Sequence, residues 1–169
     1  MKKTLIVIDM QNDFIDGSLG TKEAQAIVPN VKKKIEEYKA RGDEIIFTRD
    51  THGKKYLETN EGKHLPVEHC IRGTYGWAVS NDIGGFFGHK VIDKVTFGYF
   101  AWGAYNLEQV EIIGLCTDIC VVTNALIIKT LYPEIEITVD ASCCAGVTPE
   151  SHKAALTTMK MCQINVIGE

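Results

Sequence analysis

Positive charge is not in excess in this sequence. Lysine and arginine number 18 against 22 acidic residues, a net charge of −4 over 169 residues, and the basic residues form no stripe. A nucleic-acid surface therefore has no electrostatic footprint here, and no nucleic-acid partner is expected. Long apolar runs are missing as well. The first, Leu5-Ile6-Val7-Ile8, stops at Asp9, too short for the apolar stretch of an export signal, so neither export nor a membrane partner is expected. Internal repeats, low-complexity tracts and linkers are also absent, which excludes fibrous and disordered classes. What is present is the balance of a soluble globule, 45% hydrophobic and 24% charged. The length points to one domain over residues 1–169. Six cysteines could staple a small secreted scaffold, but this chain is long enough to bury a core without them. The reading is a cytoplasmic protein with reduced thiols, in which a cysteine is free to do chemistry.

Apolar periodicity divides the chain into alternating strands and helices. The β-branched run at 4–9 suits a strand buried on both faces of a parallel sheet. A loop over 10–25 precedes a helix with Pro29 in its first turn, Val31, Ile35 and Tyr38 at helical spacing, and Gly42 as its stop. Further strands are predicted at 44–50, 90–95, 109–115, 134–140 and 164–167. A short helical connector is expected at 102–108, an apolar helix at 118–131 and a last helix from Pro149 through Met161. The alternation implies an α/β fold, a single-domain three-layer doubly wound sandwich with a mostly parallel six-stranded sheet. Residues 51–88 form a long polar loop, and a loop of that length inside a compact domain is usually functional.

In an open parallel sheet, ligands bind beyond the carboxyl ends of the strands, near the reversal of strand order. Asp9 ends the first strand, Asp50 and His52 follow the second, and Lys94 ends the third. The run Cys116-Thr117-Asp118-Ile119-Cys120 follows the fourth into a helix. Singly, each has an ordinary explanation: Asp9 as a turn cap, Lys94 as a solvated strand end, Cys120 as a small core residue. Together they fall on one edge and make a nucleophilic site. In the first turn of a helix the free N–H groups and macrodipole stabilise a thiolate, a nearby lysine lowers its pKa, and Asp9 can accept the proton. A reactive thiol near neutral pH is therefore expected at Cys120.

Asp50 and His52 point to one side of an extended segment, and His69 follows 17 residues later. One oxygen and two imidazoles suit Zn²⁺, Fe²⁺ or Mn²⁺, and three protein ligands leave an open, catalytic type of metal site. Spacing alone is equally compatible with surface histidines, which is how His64 is read.

These residues lie in longer stretches: LIVIDMQNDF, FTRDTH, EHCIRGTYGW, VIDKVTFGYF, IIGLCTDICV, and TVDASCC with VTPESHKAAL. In this order, spanning nearly the whole chain, they resemble the cysteine hydrolases of the isochorismatase-like superfamily, in particular the nicotinamidase branch. The resemblance implies a triad with Asp9 as general base, Lys94 as the charge that depresses the thiol pKa and stabilises developing negative charge, and Cys120 as nucleophile. It implies a non-proline cis peptide between Leu115 and Cys116, aiming the backbone N–H groups of Cys116 and Cys120 at an oxyanion. Cys116 would then act through its backbone in substrate binding, and Phe14 would pack against the substrate ring, with Trp77 and Phe100 as weaker pocket candidates. Asp50, His52 and His69 match a divalent metal set, zinc foremost with iron or manganese as alternatives, which in that branch holds the pyridine nitrogen of nicotinamide. Glu61 is placed either as a further ligand or in a solvated turn beside Gly62 and Lys63. The implied activity is amide hydrolysis through a cysteine thioester, nicotinamide to nicotinate plus ammonia, as in NAD salvage. A homo-oligomer is also implied, since family members commonly self-associate.

The departures sit at the pocket wall. Thr51-His52-Gly53 stands where Trp-His-Pro is common, Gly98-Tyr99-Phe100 lacks the usual serine, and the stretch from Lys94 to Cys120 is short. They bear on the substrate more than on the chemistry. The alternatives are a relative acting on a carbamoyl or ureido group and a non-catalytic small-molecule or metal-binding relative. The complete Asp9, Lys94 and Cys120 set opposes the latter. Cys143 and Cys144 are read as loop thiols.

Overall fold

A computed structural model describes residues 2–169. Strands β1 (Lys3–Ile8), β2 (Glu44–Asp50), β3 (Lys90–Lys94), β4 (Gln109–Leu115), β5 (Glu136–Ala145) and β6 (Asn165–Ile167) form one sheet. Their order is β3-β2-β1-β4-β5-β6, and every pairing is parallel. Strand order reverses between β1 and β4, which opens a crevice beyond their carboxyl ends. The helices are α1 (Asn12–Ile15), α2 (Lys22–Arg41), α3 (Asn60–His64), α4 (Val122–Leu131) and α5 (Pro149–Met161).

The period of two along β1 builds the layers. Leu5 and Val7 pack with Val31, Ile35 and Tyr38 of α2 on one face. Ile6 and Ile8 pack with Ala125 and Ile128 of α4 and with Leu156 and Met159 of α5 on the other. The run is continuously apolar because both faces are covered. At the carboxyl end, Gly114 of β4 pairs with Ile8 and has φ +117°, and a Cβ there would lie 2.1 Å from the Ile8 carbonyl oxygen. Only glycine permits this approach.

Three local expectations are corrected. The first long helix begins at Lys22 instead of near Pro29, because the Thr21 hydroxyl accepts from Ala24 N–H at 3.0 Å and caps it. Pro29 then lies inside α2, where the buried stripe Ala24, Ile27, Val31, Ile35 and Tyr38 keeps the helix continuous across it. The segment expected to be helical from Asp118 instead opens with a π-type turn over Thr117–Val121, and α4 starts at Val122. Strand β5 continues through Ala145, and Cys143 and Cys144 are buried on opposite faces of it rather than lying in a loop.

The long 51–88 segment is docked, not free. His52 N–H donates to the Cys70 carbonyl at 2.9 Å, and Arg72 N–H donates to the His52 carbonyl at 2.9 Å. All six cysteines are unpaired. Among the described residues no helix is long and apolar enough to cross a membrane.

Candidate active site

Asp9 leaves β1 with φ +46° and is fully buried. Its Oδ1 accepts from the Thr48 hydroxyl at 2.6 Å, and its backbone N–H donates to the same hydroxyl at 3.2 Å. Lys94, at the end of β3, reaches past β2 to place Nζ 2.5 Å from Asp9 Oδ2 and 3.5 Å from Cys120 Sγ. The same ammonium lies 3.6 Å from Asp50 Oδ1 and donates to the Thr96 carbonyl at 3.1 Å. Cys120 sits in the π-type turn that follows the cis Leu115–Cys116 peptide bond. The Cys116 carbonyl closes that turn by accepting from Ile119 N–H at 3.1 Å and Val121 N–H at 3.0 Å. Helix α5 braces it from outside, with His152 Nδ1 2.7 Å from the Thr117 hydroxyl and Asp118 accepting from Val147 N–H and the Ser151 hydroxyl.

The three charged or chargeable groups share one buried compartment, so burial dominates each. Burial raises the Asp9 carboxyl above the ordinary carboxylate range, with the Lys94 ammonium opposing it. Burial works against the Lys94 charge, but Asp9, Cys120 and Asp50 around it hold its pKa well above the ordinary lysine value. Burial and the Asp9 carboxylate push the Cys120 thiol well up, and Lys94 offsets only part of this. The direction expected for Cys120 is therefore reversed. Helix entry and a lysine alone would favour the thiolate, but the fold buries Cys120 beside a carboxylate as well. A thiol whose proton is held more tightly, beside a carboxylate of raised basicity, is the arrangement in which proton transfer accompanies attack.

Asp50, His52, Glu61 and His69 form a second group, and one ligand atom from each lies within 4.8 Å of all the others. Asp50 Oδ2 is 2.9 Å from His52 Nε2 and 3.5 Å from His69 Nε2, while Glu61 Oε1 is 3.6 Å and 3.8 Å from the same nitrogens. His69 Nδ1 is 2.8 Å from the Val67 carbonyl, which fixes the ring and leaves Nε2 facing the group. Hydrogen bonds from both imidazoles hold Asp50 below the usual carboxylate range despite its burial. Two imidazoles and two carboxylates at this spacing fit a divalent ion. Glu61 joins the set because Thr59 caps α3 and sets that short helix facing His52 and His69, a placement its sequence neighbours did not reveal.

An apolar cavity of about 150 Å³ opens between the two groups, lined by Phe14, Leu115, Cys116, Ile119, Cys120 and Val147 among others, with His69, Asp50 and Glu61 at one side. Phe14 faces His69 with ring centroids 5.5 Å apart. Phe100 and Trp77 do not line the cavity. Phe100 is 87% exposed, and Trp77 lies under the Arg49 guanidinium at 3.8 Å while donating to the Thr51 hydroxyl at 2.9 Å. Phe97 supplies the aromatic from that segment instead.

Two supporting residues escaped the sequence reading. Gln11, fully buried, accepts from Asp50 N–H at 2.7 Å and donates to the Asp50 and Trp77 carbonyls at 2.8 and 2.9 Å, locking the segment that carries the metal donors. Thr48 orients Asp9, and its signal was a hydroxyl inside an apolar strand, which must find a partner.

The chain matches the isochorismatase domain over residues 3–168. A probable inactive nicotinamidase of Arabidopsis thaliana is 28% identical over 172 residues, covering 92% of this chain and 87% of the relative. The pyrazinamidase of Pyrococcus horikoshii in complex with zinc superposes with a TM-score of 0.82 at 26% identity, covering 100% of both chains. The N-carbamoylsarcosine amidase of Thermoplasma acidophilum superposes with a TM-score of 0.81 at 28% identity, covering 98% of this chain and 95% of that one. With the match running almost end to end, this chain belongs to the isochorismatase family and lies close to its nicotinamidase members.

Proposed function

We propose that this protein hydrolyses a small, uncharged aromatic carboxamide, nicotinamide foremost, to the carboxylic acid and ammonia. The observation that carries the reading is the meeting of the Cys120 thiol, Asp9 and Lys94 beside a ring-sized apolar cavity flanked by metal donors. A cavity of about 150 Å³ accommodates a benzene-sized ring.

Asp9 takes the thiol proton as Cys120 Sγ bonds to the carboxamide carbon. The carbonyl π pair moves onto oxygen, where the backbone N–H groups of Cys116 and Cys120 receive it and the Lys94 charge offsets it. The pair returns, the C–N bond breaks, and protonated Asp9 gives its proton to the leaving ammonia. Asp9 then removes a proton from water, whose oxygen attacks the thioester carbon. The C–S bond breaks, the acid leaves, and the proton on Asp9 returns to Cys120. The raised Asp9 carboxyl suits both directions of this transfer. Asp50, His52, Glu61 and His69 would hold the divalent ion, and when bound it supplies a Lewis-acidic point for the ring nitrogen of the substrate.

The carbamoyl alternative, supported by the likeness to the N-carbamoylsarcosine amidase, is placed second by the side chains of the cavity wall. An N-carbamoyl amino acid carries a carboxylate, and no lysine or arginine lines the cavity. The test is ammonia release from nicotinamide, pyrazinamide and N-carbamoylglycine by the zinc-loaded protein. Turnover of the two ring amides, lost in Cys120→Ala with an unchanged circular dichroism spectrum, is the expected result. Turnover confined to N-carbamoylglycine overturns the substrate, and activity retained in Cys120→Ala overturns the nucleophile.

A further inference from the structure

We infer that the side chains of Leu65 and Phe97 form a removable wall that confines the substrate to a single ring. This rests on the carboxamide reading above. Beside the 150 Å³ cavity runs a groove of about 610 Å³. Four residues, Glu61, Leu65, Phe97 and Ile119, line both spaces and so stand between them. Glu61 is committed to the metal donor set and Ile119 to the nucleophile turn. Leu65 and Phe97 have no such duty. They are 39% and 43% exposed, which makes the partition thin and leaves it largely outside the core.

Both side chains hang from anchored backbone. Leu65 N–H donates to the Glu61 carbonyl at 2.8 Å, and the Leu65 carbonyl accepts from the Tyr56 hydroxyl at 2.9 Å. The Phe97 carbonyl accepts from Asn124 Nδ2 at 3.1 Å, and the same amide nitrogen donates to the Cys120 carbonyl at 2.7 Å. Truncating either side chain therefore opens the wall without releasing the chain behind it. His52 and Glu61 border the groove, so the opening lies on the metal-donor side of the cavity. A second ring fused next to the ring nitrogen would extend that way, past polar Thr59, Asn60 and Thr96.

The experiment compares nicotinamide with quinoline-3-carboxamide, which keeps the same relation of ring nitrogen to carboxamide. In the zinc-loaded Phe97→Ala variant, kcat/KM for the bicyclic amide relative to nicotinamide rises by at least about tenfold, the scale at which an apolar pocket senses size. Leu65→Ala, on the facing segment, shifts the ratio the same way and stands in should Phe97→Ala fail to fold. Val95→Ala, which lines the groove but not the cavity, leaves the ratio unchanged. Calorimetry in a Cys120→Ala background reads the same ratio as Kd without turnover. A shifted Kd ratio in a protein that hydrolyses neither amide would uphold the wall while removing the carboxamide activity. An unchanged ratio in the wall variant, or an equal shift in Val95→Ala, overturns the wall.

Discussion

Replacing Lys94 with methionine isolates the electrostatics of the buried compartment. The ammonium lies 2.5 Å from the Asp9 carboxylate and 3.6 Å from that of Asp50, and both acids are buried. At an effective dielectric of about 20 these contacts are worth about 7 and about 5 kcal/mol of attraction. Removing the ammonium also removes its own desolvation penalty, several kcal/mol, and lets Asp9 relax by taking up a proton. The net loss on breaking a buried pair in this way is about 3–5 kcal/mol. That is a large part of an ordinary domain's stability of about 5–15 kcal/mol. Equilibrium urea unfolding of the zinc-free protein at pH 7 measures it. The paired change Lys94→Met with Asp9→Asn removes both charges, and the new amide oxygen still accepts from Thr48. The double variant is expected to be more stable than the sum of the two single losses implies by about 2 kcal/mol. Ammonia release is absent from all three. Strict additivity, or a loss below about 1 kcal/mol for Lys94→Met, would refute the account of Asp9 and Lys94 as a mutually dependent buried pair.

Two further expectations follow from the same packing. Gln11→Ala leaves the Asp50 N–H and the Asp50 and Trp77 carbonyls without their present partner, costing about 3 kcal/mol in urea unfolding and about 10–100-fold in zinc affinity measured against a competing chelator. Unchanged zinc affinity would show that Gln11 does not set the donor geometry. Because burial raises the Cys120 thiol, iodoacetamide at pH 7 is expected to label exposed Cys162 first. Labelling of Cys120 should keep accelerating with pH beyond the ordinary thiol value of about 8.5, since a raised pKa delays the thiolate. Mass spectrometry that finds Cys120 modified first at pH 7 contradicts the direction of that shift.

Local rules in the sequence were enough for the sheet and for the edge that carries chemistry. The run Leu5–Ile8 is apolar on both faces because helices cover both, so its pattern was legible before any contact was known. Alternation of strands and helices implied parallel pairing, and parallel pairing sends Asp9, Asp50, Lys94 and Cys120 to one end of the sheet. What failed was whatever depends on the partner. Pro29 looked like a helix start until Thr21 proved to be the cap and a buried stripe carried α2 through the proline. Cys143 and Cys144 looked like loop residues until pairing with β4 extended β5 over them. Glu61 stood open between a further ligand and a solvated turn until α3 set it against His52 and His69.

The deepest difference concerns Cys120. Its position at a helix entry near a lysine is a sequence property and points toward a thiolate. Its pKa depends on how much water the fold removes and on which carboxylate it places alongside. Residue order alone determined which groups meet at the crevice between β1 and β4. Only the tertiary structure set the direction in which their pKa values move, because burial and charge contacts belong to distances across the sheet and not to spacing along the chain.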